Sequence, residues 1–118
     1  MQIPKRLRRE LRQLATKAEE AELRAALQPL ANDFKRWESG EIDSFDLKAL
    51  IHDFHQGAAR NIYVSYDTPD PSFMVANAIV LGMLDPAAVS PELMTELARL
   101  IEIRKSLLED GEIETQSA

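Results

Sequence analysis

Apolar residues recur at helical spacing along almost the whole chain, and no segment keeps a convincing strand alternation. From Pro4 to Trp37 the chain is rich in Leu, Ala, Arg, Glu, Lys and Gln, the strongest helix formers. At about 100° per residue, Leu7, Leu11, Leu14, Ala18, Ala21 and Ala25 share one stripe. Leu23, Leu27, Leu30, Phe34 and Trp37 form a second stripe centred about 160° away. A straight helix of this length runs about 50 Å, against about 35 Å for a compact domain of this size. The pattern therefore predicts a long amphipathic N-terminal helix that kinks or protrudes. Pro29 supplies a mechanism, since it removes an intrahelical donor and crowds the preceding turn, although the stripe changes phase earlier, around Ala21 to Leu23. The favoured reading is an arm helix over 4–27 and a second helix over 29–38, with one continuous kinked helix as the alternative. Lys35, Arg36 and Gly40 place the stop near Glu38.

Further along, Asp43 or Ser44 can cap a helix whose apolar positions Leu47, Leu50, Ile51, Phe54, Ala58, Ile62 and Tyr66 continue through Gly57. One helix over 44–66 follows, with Gly57 marking either close backbone packing or a kink. Asn61 to Ser65 is β-prone in isolation, but its register fits the surrounding helix. Asp67-Thr68-Pro69-Asp70-Pro71 is turn chemistry, with Asp70 as cap and Pro71 at the first position of a short helix. That helix has almost no polar face, so it belongs in the middle of the domain. Asp85-Pro86 ends it, and Ser90-Pro91 opens a last amphipathic helix to about Glu109. The tail 110–118, polar and acidic apart from Ile113, is expected to be disordered. The expected fold is all-α: an irregular helical bundle of four to five helices, forming one domain over 1–109.

Composition agrees with a folded chain. Of 118 residues, 45% are hydrophobic and 29% charged, the usual balance of one globular domain. No cysteine is present, which excludes disulfides, a thiolate nucleophile and thiolate-held metal. The basic residues after Pro4 lead into no apolar h-region, and Phe73 to Leu84 is far shorter than the roughly 20 residues of a membrane span. A soluble, cytoplasmic protein is expected. The net charge of −6 is unevenly spread, because residues 1–17 carry +5 and the remainder −11.

Two constellations bear on function. His52 and His55 are three apart on a helix, a spacing compatible with one metal ion or a proton-transfer site. Zinc-hydrolase and di-iron patterns need a differently placed Glu, however, and no phosphate loop or nucleophile elbow is present. The pair is read as polar packing or a pH-sensitive contact; a metal-dependent enzyme centred on it is a distant alternative. No cofactor and no enzymatic activity are expected. The N-terminal helix is the stronger lead. Leu7, Leu11 and Leu14 form a face suited to a protein partner or a second copy, unless the chain's own core covers them. Lys5, Arg8, Arg9 and Arg12 form a basic face that suits nucleic-acid phosphates, the alternative reading. Phe34 and Trp37, on the second stripe, are expected to pack in the core. The functional expectation is a non-enzymatic intracellular interaction protein: an adaptor, regulator or accessory, neutralising subunit.

Overall fold

The computed structural model describes residues 3–111. The expected acidic tail lies outside them except for Asp110 and Gly111, which form a turn. Among the described residues every regular element is helical: α1 (Lys5–Glu38), α2 (Ser44–Phe54), a π turn (His55–Ala59), α3 (Arg60–Tyr66), α4 (Ser72–Val80), a 3-10 turn (Pro86–Ala88) and α5 (Pro91–Glu109). The expected all-α class and the long N-terminal helix are both present.

The favoured break in the first helix is corrected: α1 is continuous across Pro29. Proline in a helix frees the carbonyl four residues back, here that of Ala25. Pro29 and Ala25 are both exposed, so water can satisfy the freed carbonyl.

The chain divides into two compact units. One comprises the described parts of Met1–Ala18 and Pro69–Ala118; the other is Glu19–Thr68. Leu7, Leu11, Leu14 and Ala18 of the first stripe fall in the former, and Ala21, Ala25 and the whole second stripe in the latter.

The first unit holds a conventional core. Leu7, Leu11, Leu14, Ala15 and Ala18 of α1 are buried, with Val75, Ala76, Ala78 and Ile79 of α4 and Leu93, Leu97 and Ile101 of α5. At the start of α5, the Ser90 hydroxyl accepts from the Leu93 amide and donates to Glu10 Oε1 (2.6 Å), while the Ser90 amide donates to Glu10 Oε2 (2.8 Å). One α1 carboxylate thus fixes both polar groups of the α5 cap. Arg6 pairs with Glu92 on the same side, and this neighbour holds the Glu92 carboxyl below its ordinary range. Between α4 and α5, buried Arg104 donates from Nε to Asn77 Oδ1. Asp70 accepts from the Ser72 amide (3.1 Å) just ahead of α4.

Candidate functional site

The second unit is a helical hairpin built from the last half of α1 and the run from α2 to α3. Gly40 (φ +82°) supplies the left-handed residue after α1, letting the Glu41 amide reach back to the Arg36 carbonyl (2.9 Å). Asp43 then opens α2 with a reciprocal capping box: the Asp46 amide donates to Asp43 Oδ1 (2.8 Å) and the Asp43 amide to Asp46 Oδ2 (3.1 Å). Two cross-links show the antiparallel sense. Trp37 Nε1 donates to Ser44 Oγ (2.9 Å) near the turn, and the Tyr66 hydroxyl donates to Glu22 at the far end. Burial, then the Glu22 carboxylate, push the Tyr66 hydroxyl well above the usual tyrosine range.

The π turn explains how the second arm keeps its apolar side. From Phe54 the apolar positions advance in steps of four, to Ala58, Ile62 and Tyr66, and each step overshoots a helical turn by about 40°. One turn with an extra residue takes up part of that drift, so Ile62 and Tyr66 stay half-covered like Leu50 and Phe54, while within the turn Ala58 is exposed and Gly57 and Ala59 are half-covered instead. The expected single helix over 44–66 is therefore interrupted in hydrogen bonding but continuous in path. Gly57 lies in this turn, and a Cβ there would meet nothing within 4 Å, so close packing within the chain does not account for it.

Burial distinguishes this hairpin from the first unit. Among the described residues, only Leu47 of the sixteen buried hydrophobics lies in Glu19–Thr68, whereas seven of the ten exposed large hydrophobics do. Leu27, Phe34 and Trp37 are 41%, 40% and 40% exposed, which corrects the core placement expected for the two aromatics. All three lie on the second stripe, with half-buried Leu30 between Leu27 and Phe34, and the Phe34 and Trp37 rings meet edge to face at 6.4 Å. The hairpin arm on the other side exposes Ile51 and Tyr63.

The residues singled out from the sequence take different places. Leu7, Leu11 and Leu14 are 3–7% exposed, covered within their own unit. Lys5, Arg8, Arg9 and Arg12 are all exposed. Arg8 and Arg12 share a groove of about 290 Å³ with Ile3, Leu11, Pro69, Asp70 and Pro71, and Arg8 Nε donates to the Ile3 carbonyl (3.3 Å). His52 and His55 are both exposed, and His55 lines a shallow groove of about 280 Å³ with Gln56, Ala59, Arg60 and Tyr63. Among the described residues no group of three His, Cys, Asp or Glu is placed to hold a metal ion. Among the described residues no helix is long and apolar enough to cross a membrane.

What sequence reasoning missed is the half-covered flank of the hairpin. Its signal was available in the 4-3-4-3 spacing of Leu23, Leu27, Leu30, Phe34 and Trp37, the pattern of a helix seam. No family model, curated protein or solved structure matches this chain.

Proposed function

We propose that the chain is a non-enzymatic, cytoplasmic interaction protein, an adaptor, regulator or accessory subunit, whose contact surface is the flank of the hairpin carrying Leu27, Phe34 and Trp37. The observation that carries this reading is the partial exposure of three of the five seam residues in a unit that buries only Leu47 among its hydrophobics. At 150–250 Å² for an aromatic side chain, these three leave on the order of 250 Å² of apolar surface in water. Covering it is worth about 6 kcal/mol at 25 cal/mol/Å² before association costs, enough to anchor a helical partner supported by a polar rim. The first-unit leucines, Leu7, Leu11 and Leu14, then serve folding, and the contact moves to the second stripe of the same helix.

Affinity capture from the native cell, followed by mass spectrometry, tests this reading. Wild-type protein should retain a defined partner that a folded Leu27→Asp/Phe34→Asp variant loses; equal retention by both refutes the assignment of the flank.

A second reading rests on a different observation. Lys5, Arg8, Arg9 and Arg12 are exposed on one face of α1, and none forms an ion pair among the described residues. Such a face suits nucleic-acid phosphates, with binding that weakens steeply as salt rises. Triple substitution of Arg8, Arg9 and Arg12 by Ala should abolish low-salt binding to duplex DNA or RNA, and no binding by the wild type discards this reading.

A further inference from the structure

Resting on the hairpin as the contact surface, we infer that its occupant is a basic amphipathic helix of another protein, rather than a second copy of this chain. Charge decides between them. Glu19–Thr68 contains ten Asp and Glu against five Lys and Arg, a net charge of −5. Arg24 and Arg36 are already engaged, by Glu20 (3.0 Å) in one case and by Asp33 (3.0 Å) and Glu41 (2.8 Å) in the other. Three cations, Lys35, Lys48 and Arg60, are left outside these pairs, against seven carboxylates. Glu38 stands one turn beyond Phe34, at the end of the exposed column, and is itself exposed.

Two such hairpins meeting face to face would bring −5 against −5 over a contact only a few Debye lengths across, each about 8 Å at physiological salt. A partner with Lys and Arg beside its apolar stripe reverses the sign of that term while filling the same seam. The seam itself specifies a helix: Leu23, Leu27, Leu30, Phe34 and Trp37 repeat at alternating steps of four and three, matching apolar knobs on a helix laid alongside.

The full chain carries its own reporter, because Trp37 is its only tryptophan and is 40% exposed on the proposed surface. The probes are three tryptophan-free synthetic peptides: one with leucines at four-three spacing and lysines elsewhere, one with glutamates replacing the lysines, and one with the lysine composition but a scrambled apolar order. The expected result is saturable binding of the first peptide with a blue shift of Trp37 emission, at least tenfold tighter than either control. Phe34→Asp and, independently, Glu38→Lys should each weaken it at least threefold, with far-UV circular dichroism unchanged. Equal binding of the glutamate peptide overturns the basic partner but leaves the apolar contact surface standing. Equal binding of the scrambled peptide overturns the helical seam, as does failure of all three. Sedimentation showing a micromolar dimer that Phe34→Asp dissociates makes a second copy the occupant and overturns the inference. If binding is seen but Phe34→Asp changes neither binding nor sedimentation, the hairpin flank itself is the wrong surface.

Discussion

Leu11 and Leu27 are the same residue type on the same helix, sixteen positions apart, and replacing each with alanine should have unequal consequences. Leu11 is 3% exposed in the core of the first unit; Leu27 is 41% exposed on the hairpin. Truncating a fully packed leucine costs about 2–5 kcal/mol, combining lost transfer energy with the void left behind. At Leu27 no enclosed void forms and part of the side chain was already in water, so the cost should be about 1 kcal/mol or less. Urea denaturation followed by far-UV circular dichroism, with Trp37 emission as a second probe in the hairpin, measures both. The two probes also reveal whether the two units unfold together. A result in which Leu27→Ala destabilises as much as Leu11→Ala would refute the reasoning, since it would mean that the flank is closed in solution. Repeating that measurement over a range of protein concentration would show whether association closes it. By the same logic, Leu11→Asp is unsuitable as an interface probe. A carboxylate forced into that core costs several kcal/mol in addition to the lost burial, against a total stability of about 5–15 kcal/mol, so loss of binding would report unfolding.

The buried Asn77–Arg104 contact predicts an asymmetry: Asn77→Ala leaves a buried guanidinium without its acceptor and should cost about 3 kcal/mol or more, whereas Arg104→Met leaves only a neutral amide oxygen without its donor and should cost less, about 1–3 kcal/mol. Thermal melts of the two variants check it, and a larger loss for Arg104→Met would contradict it. Gly57→Ala should stabilise the chain by about 0.5–1 kcal/mol, because the added methyl meets nothing and the unfolded chain loses freedom; a fall in melting temperature would refute this. Tyr66 has its folded pKa raised above the unfolded value of about 10, so its contribution is intact below that pH and declines as pH rises further. Stability of the wild type should therefore drop more steeply above pH 10 than that of Tyr66→Phe, and parallel profiles from alkaline melts would remove the role given to the Tyr66–Glu22 bond.

Element boundaries were legible where a few adjacent residues decide them. Asp43 with Asp46, Ser90 with Pro91, and Gly40 after Lys35 and Arg36 each complete a cap within a few residues of chain, so no distant residue can change the outcome. The break expected at Pro29 depended on whether the Ala25 carbonyl meets water, which is set by what packs nearby and is not written in residues 25–29. The π turn was hidden for a related reason: steps of four between Phe54 and Tyr66 look regular on a short window and accumulate drift only over the whole segment. The two stripes of α1 are the most instructive case, because in sequence both read as apolar faces, and the one with the larger side chains, ending in Phe34 and Trp37, is the one left half-covered. What separates them is the supply of cover. The unit of the first stripe also contains α4, which is almost wholly apolar, and α5, whose Leu93 and Leu97 are fully buried. The hairpin has only α2 and α3 to offer the second stripe, and these interleave apolar residues with Asp46, Lys48, Asp53 and Arg60 and place Phe45, Ile51, Tyr63 and Val64 in water. Apolar periodicity along one helix therefore states what has to be covered, and only the remaining elements of its unit state how much of it the chain covers itself. The remainder, centred on Leu27, Phe34 and Trp37, is where a partner has most to gain.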